Sequence, residues 1–426
     1  MTAPSAAGVQ VELDRLGRWR FALLSLLVCL SLAWLAGGLL NSWWWHPPGF
    51  VNEGGADIGR DFVALWTAAS LALGGHASAG YDATLIHVAE QTTIGAPVAL
   101  ITWHYPPSFL MLVLPLAMLP YPAAAALWVV ATFAGFAKLL QRVAPHPLTS
   151  LWALIFPATA QCLISGQNGA FSATLIAGGL LSLERRPMVS GLCWGLLSYK
   201  PQVAAAAFAA LVFGRHWRTL GVALGVAAAL AVSSLALLGA EPWFAFLRGL
   251  GEARALLEAG RVPWDRMATV FASARLAGLG IAASYGLQIV VALGALGILA
   301  QIWWRRAPLA LAGSALVLSI PLTTPYAYDY DLVMLLLPLA WLLTDARATG
   351  FRRSEAILLT AAWAMPVAGK FIAEATTLQP TWLVLLLLLL TTWRRAAPGA
   401  SPAEMDAASA QKIRQTKDSS APFVRS

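Results

Sequence analysis

Charge is what this chain has least of: Asp, Glu, Lys and Arg make up 11% of its 426 residues, against 59% hydrophobic residues and a mean hydropathy of +0.69. Soluble domains carry roughly 25% charged residues, so the chain reads as an integral membrane protein. Period-two alternation is absent from its apolar runs, which excludes a barrel and implies helices. Cysteine is nearly absent as well. Cys29, Cys162 and Cys193 lie in apolar segments without disulfide or metal spacing and read as small buried hydrophobes. Also missing are a phosphate-binding P-loop, a dinucleotide-binding glycine motif, metal-ligand His/Cys spacing and a Ser-His-Asp signature. A donor that needs a soluble nucleotide-binding domain is therefore not expected, and neither a metal nor a cofactor is called for. No internal repeat is visible, so the inverted-repeat pattern of many transporters is lacking. The net charge of +8 falls in short clusters between apolar runs, as topology determinants do, and nucleic acid is not expected as a partner.

The clusters assign sides. Residues 21–40 are long and apolar enough to cross a bilayer. No small-residue cleavage site follows, and Trp43-Trp44-Trp45 reads as an interfacial anchor. Arg15, Arg18 and Arg20 place the N-terminal segment, 1–20, in the cytoplasm, so the loop 41–105 is expected on the outer face. Lys138/Arg142, Arg185/Arg186, Arg215/Arg218, Arg305/Arg306, Arg347/Arg352/Arg353 and Arg394/Arg395 mark further cytoplasmic ends. The outer segments are then Ser165–Gly169, Tyr199–Gln202, Gly239–Ala283, Thr323–Asp331 and Ala373–Gln379. Residues 106–119 form a short run with Pro115 and Pro120, read as a re-entrant or interfacial element. The alternative is that 106–119 and 122–141 both cross and Lys138/Arg142 face outward. The expected architecture is all-α: a polytopic transmembrane bundle of about 11–13 spans over residues 21–395, followed by a disordered cytoplasmic tail, 396–426.

The first outer loop holds Glu53, Asp57, Asp61, Asp82, Glu90, His76, His87 and His104, an unusual density of ionisable groups for this chain. Asp61 precedes Phe62–Leu73, whose apolar spacing suggests a helix lying in the membrane plane. It reads either as that helix's N-cap or as a reactive carboxylate, with Arg60 as an interfacial charge or its partner. Tyr105-Pro106-Pro107 is either a rigid break before a helix or part of a binding rim. Ser165-Gly166-Gln167-Asn168-Gly169 is either a tight turn, with Gly and Asn at positive φ, or a hydroxyl-binding element through Gln167 and Asn168. Lys200, between Tyr199 and Pro201-Gln202, interrupts about 25 apolar residues. It reads as a ligand for a lipid phosphate or as a snorkelling lysine. Tyr326, Tyr328, Asp329, Tyr330 and Asp331 suit a carbohydrate-binding rim, or an ordinary interfacial tyrosine belt. Trp264-Asp265-Arg266, in a long outer loop, is a possible acceptor-side element.

Taken in order, Arg60-Asp61-Phe62…Trp66, Gly80-Tyr81-Asp82, Tyr105-Pro106-Pro107, Gly166-Gln167-Asn168, Glu184-Arg185-Arg186-Pro187, Lys200-Pro201-Gln202 and Tyr328-Asp329-Tyr330-Asp331 resemble a known family. It is the bacterial family of polytopic alpha-mannosyltransferase-like proteins, related to mycobacterial enzymes that act on phosphatidylinositol mannosides. The resemblance covers roughly residues 20–345. It implies the C-type glycosyltransferase fold and inverting transfer from a polyprenyl-phosphate-linked sugar to a lipid or glycan acceptor, at the outer face of a bacterial inner membrane. It implies Asp61 as catalytic base, with Arg60 and Lys200 as candidates for the donor phosphate. Asp82, Tyr105, Gln167, Asn168, Gln202, Tyr326, Tyr328, Asp329 and Asp331 are then candidates for sugar or acceptor.

The competing readings are a transporter or flippase of lipid-linked sugars and a scaffold subunit for envelope synthesis. Charged residues concentrate in loops at one face rather than at the midplane, where transporter sites usually lie.

Overall fold

A computed structural model describes residues 6–44, 49–52, 59–352 and 354–397, with side chains from residue 25 onward. Trp45, Glu53, Asp57 and Arg353, the side chains of Arg15, Arg18 and Arg20, and the tail 398–426 lie outside the described residues.

The described residues form α-helices and short 3-10 turns without a strand; Met267 and Tyr328 pair in an isolated antiparallel bridge. In chain order the first helices are α1 Ala6–Trp43, α2 Phe62–Leu73, α3 Ala83–Ile94, α4 Pro107–Val113, α5 Tyr121–Val143 and α6 Thr149–Ile155. Then come α7 Pro157–Ser165, α8 Gly169–Ser182, α9 Pro187–Leu196, α10 Pro201–Phe213, α11 Trp217–Leu238 and α12 Glu241–Glu258. The last are α13 Val270–Leu276, α14 Ile281–Trp304, α15 Leu309–Thr323, α16 Leu336–Thr349, α17 Glu355–Thr376 and α18 Thr381–Arg395. Six stretches are long and apolar enough to cross a membrane: Ser25–Trp43, Tyr121–Val143, Trp217–Leu238, Ile281–Trp304, Asp329–Thr349 and Glu355–Thr376. Five shorter apolar helices of 10–17 residues accompany them. The chain is thus an all-α polytopic membrane protein.

Proline sets many of the boundaries. Pro107, Pro157, Pro187 and Pro201 each stand in the first turn of a helix, where a missing N–H is harmless. Pro157 also splits α6 from α7. Residues 107–118 form seven α-helical and five 3-10 residues, about 20 Å of rise against a core of about 30 Å, so this segment is too short to cross alone. α2 is not the one-sided helix its spacing suggested. Eight of its twelve residues are buried, because α3, α4 and the 114–118 turn cover it. α15 is buried without interruption from Leu311 to Leu322 and forms the centre of the bundle, as expected of a helix apolar all round.

Helix direction sorts the loops into two ends. One gathers the segments expected outside: Gly166 meets the Gly59–Phe62 turn, Gly169 meets Tyr330, Lys200 meets Asp331, Arg266 meets Asp329, and Gln379 donates to the Asp265 carbonyl at 2.7 Å. At the other, Arg395 joins α18 to α16 and α17 through Asp345 and the fully buried Glu355, both at 2.6 Å.

A Cβ at Gly169 would stand 2.0 Å from the Tyr330 carbonyl oxygen, a backbone atom fixed by its own segment, whereas a Cβ at Gly221 in α11 meets nothing within 4 Å. Gly169→Ala is expected to destabilise by about 1–3 kcal/mol. Gly221→Ala is expected to be neutral or stabilising by up to about 1 kcal/mol. Thermal unfolding in detergent compares them, and equal effects would contradict the close approach.

Candidate active site

Asp61 occupies the N-cap position of α2, yet its side chain makes no capping bond, and its own backbone is already helical (φ −68°, ψ −13°). Its Oδ2 instead accepts from Gln167 Nε2 at 2.9 Å, across 106 residues of sequence. Asp82 behaves the opposite way. Extended at φ −93°, ψ 117°, it caps α3 by accepting from the Thr84 and Leu85 amides, both at 2.9 Å. The carboxylate expected to help with sugar or arginine is therefore a helix cap, and the one with a cap's position is not. Burial pushes the Asp61 carboxyl above the usual carboxylate range; the Gln167 hydrogen bond and the charges of Arg266 and Arg60 pull the other way without cancelling it.

Two turns make that contact. Gly59 and Gly166 both have positive φ (65° and 63°), and a Cβ on Gly166 would lie 2.7 Å from Phe62 Cβ and 2.8 Å from the Gly59 carbonyl oxygen. Asn168, expected to share the positive φ, has φ −93°. It donates through Nδ2 to the Tyr105 hydroxyl at 2.6 Å. Gln167 Oε1 and Asn168 Oδ1 are buried without a hydrogen-bond partner among the described residues, so two acceptors beside Asp61 remain to be satisfied.

Arg60 is half-buried at φ 37°, and its Nε has no partner among the described residues. It faces a cavity of ≈ 410 Å³ that α1 and α17 wall with Trp34, Gly37, Val367 and Phe371. Gln161 and Ile164 of α7 lie beneath, and Arg266, Asp329 and Lys370 complete the polar side. Arg266 reaches Asp329 through two bonds, Nε to Oδ2 at 2.9 Å and a terminal nitrogen to Oδ1 at 3.0 Å. This fork fixes the guanidinium plane. Lys370 lies 3.4 Å from Glu374, one turn on. An arginine stranded in a long loop was the faint sign of Arg266. Lys370 interrupts an apolar helix just as Lys200 interrupts its run, and the same reasoning finds it.

Lys200 is elsewhere. It is buried, 3% exposed, and ion-paired to Asp331, so its charge is met inside the protein rather than presented to a lipid phosphate. Gln202 follows on the first turn of α10, half-buried. The tyrosines pack on each other instead of offering open faces: Tyr326 meets Tyr328 edge-on at 5.3 Å, and Tyr328 stacks on Tyr330 at 5.3 Å. Asp329 and Asp331 each hold a cation, and their second contacts are to backbone amides, Asp329 to Tyr330 N and Asp331 to Tyr328 N. No group of three or more His, Cys, Asp or Glu is placed to hold a metal ion among the described residues.

The chain matches the protein-family model of glycosyltransferase family 87 over residues 103–325. That interval takes in Tyr105, Gln167, Asn168, Lys200, Gln202 and Arg266. Asp61 precedes it, and the Tyr326–Asp331 segment follows it. No curated protein and no solved structure matches the chain. The matched interval spans just over half of a helical, membrane-crossing chain and contains the turns that pack around Asp61: the chain belongs to glycosyltransferase family 87 and is a membrane glycosyltransferase.

Proposed function

We propose that the protein transfers a hexose, mannose by the family resemblance, from a polyprenyl-phosphate donor to a hydroxyl of a lipid or glycan acceptor, with inversion at the anomeric carbon. The site faces the extracytoplasmic side of a bacterial inner membrane in this reading. One observation carries it: a carboxylate raised by burial, Asp61, directly follows an arginine, Arg60, that opens onto a groove walled by two apolar helices. A polyprenyl chain stays in the bilayer, so its phosphate has to be met from the side, between helices.

In this mechanism Asp61 takes the proton of the acceptor hydroxyl as the oxygen attacks the anomeric carbon. The bond from that carbon to the donor phosphate oxygen breaks, and its electron pair leaves on the phosphate. A base whose proton affinity exceeds that of an ordinary carboxylate suits this step. Charge then develops on the departing phosphate, which Arg60 and Arg266 are placed to stabilise in a site partly shielded from water. Asp329 orients Arg266. The phosphate role expected of Lys200 passes to these two arginines and Lys370, while Lys200 and Asp331 tie α10 to the segment before α16. The unpartnered Gln167 Oε1 and Asn168 Oδ1 are suited to accept from sugar hydroxyls.

Two outcomes follow for purified protein in nanodiscs, with radiolabelled polyprenyl-phosphate-mannose as donor and a membrane-lipid extract as acceptor. Asp61→Asn is expected to lower transfer by about 10²–10⁴, the usual worth of a general base, without lowering the melting temperature; retained transfer would remove Asp61 from the mechanism. Arg60→Gln is expected to raise the donor KM at least about tenfold, equivalent to about 1.4 kcal/mol. An effect confined to the acceptor KM would place Arg60 outside the donor site.

A further inference from the structure

A second polar cavity, of ≈ 340 Å³, lies at the other end of the bundle. α8 and α10 both start at the Asp61 end and finish beside it; α8, with 14 residues, separates the two by about 21 Å at 1.5 Å per residue. Its lining comes from three connections: Leu183 and Glu184, Gly214 to His216, and Trp303, Arg306, Ala307, Leu309 and Ala312 where α14 passes into α15. These were assigned on arginine content to one side of the membrane, and they do come together.

Two arginines frame this cavity, and their backbones are unusual. Arg215 (φ 59°) and Arg306 (φ 52°) each stand directly after the C-cap residue of a helix, Gly214 of α10 and Arg305 of α14, in the left-handed conformation. Both ends close with the same pair of bonds. Arg215 N donates to Val212 O and His216 N to Leu211 O, while Arg306 N donates to Trp303 O and Ala307 N to Ile302 O. Glycine is the usual residue at that position. Arginine occupies it twice in the lining of one cavity, and strain of this kind clusters at ligand clamps. The floor is close-fitting: a Cβ on Gly214 would come within 2.7 Å of both His216 Cδ2 and Trp303 Cε3, and Trp303 Nε1 is anchored on the Ala312 carbonyl at 2.9 Å. The Arg215 guanidinium lies 3.8 Å over the Trp304 ring, and Trp304 is 61% exposed, as an interfacial tryptophan is. The one carboxylate, Glu184, is itself largely exposed and lies 3.9 Å from His216, leaving the arginines without an acidic partner among the described residues.

We propose that this cavity binds a phosphate group, carried by an anionic phospholipid whose head group enters between α10 and α14 at the membrane surface. The guanidinium groups of Arg215 and Arg306 clamp the phosphate. Basic pockets between spanning helices take lipid head groups in this way, and ≈ 340 Å³ equals about eleven waters at about 30 Å³ each, room for a glycerophosphate.

The test is the melting temperature of the full chain in nanodiscs of phosphatidylcholine, with and without phosphatidylglycerol. The wild type is expected to gain several degrees with phosphatidylglycerol and to retain that lipid in native mass spectra. The double variant Arg215→Gly, Arg306→Gly is expected to lose both responses. In phosphatidylcholine alone it should melt no lower than wild type, since glycine suits positive φ. Arg60→Gln, at the opposite end, should keep the full gain, which separates this site from the proposed donor site. If inorganic phosphate in phosphatidylcholine reproduces the gain and phosphatidylglycerol does not, the phosphate chemistry stands and the lipid source is overturned. If the double variant keeps its phosphatidylglycerol response, or the wild type has none, the site is overturned.

Discussion

The site rests on a close approach of backbones at one turn. Ser165-Gly166-Gln167-Asn168-Gly169 sits between the Gly59–Phe62 turn on one side and the Tyr330 carbonyl on the other, and neither Gly166 nor Gly169 has room for a methyl group. That intimacy fixes the rest. It sets Gln167 within hydrogen-bond reach of Asp61, Asn168 beneath the Tyr105 hydroxyl, and the aspartate pair 329/331 where Arg266 and Lys200 can meet it. Asp61 is thereby drawn out of its capping role, which its helical backbone would in any case serve poorly.

The two cation–carboxylate pairs differ from the Asp61 group in what they are for. Arg266–Asp329 and Lys200–Asp331 are partly or fully buried, and removing one partner of such a pair leaves a charge uncompensated at a cost of several kcal/mol. They hold the segment before α16 in place. Asp61 and Arg60 share no such hydrogen bond, and in the proposed mechanism they act on acceptor and donor instead.

Much of this was legible in the sequence, because a bilayer leaves few options. Apolar runs have to be helices, and the arginine clusters sorted the loops into the two groups that the structure gathers at two ends. The polar motifs that interrupt the runs, around Asp61, Tyr105, Gln167 and Asp331, converge. What was not legible depends on contacts between distant residues. Lys200 looked available because its partner is 131 residues away, and Arg266 read as part of an acceptor-side element because Asp329, which orients it, lies 63 residues on. The sequence places Asp61 at a helix start and offers Asp82 to a sugar, whereas the side-chain hydrogen bonds show that Asp82 caps a helix and Asp61 does not. The tyrosines around 328 looked like a binding surface, but their rings are used on one another. The groove between α1 and α17 had no sequence counterpart, since residues of α1, α7 and α17, far apart in the chain, line it together.

In the proposed mechanism Asp61 works as a base whose proton affinity burial raises and the Gln167 hydrogen bond moderates. The most direct measurement is the pH dependence of kcat/KM for wild type and Gln167→Ala. Asp61 has to be unprotonated to accept a proton, so activity should fall as pH drops through its folded value, with the acid limb above the ordinary carboxylate position of about 3.9. Gln167 lowers that value by donating to the charged form, so its removal should move the acid limb to still higher pH. An acid limb that stays in place in Gln167→Ala would contradict the assignment of Asp61 as the base.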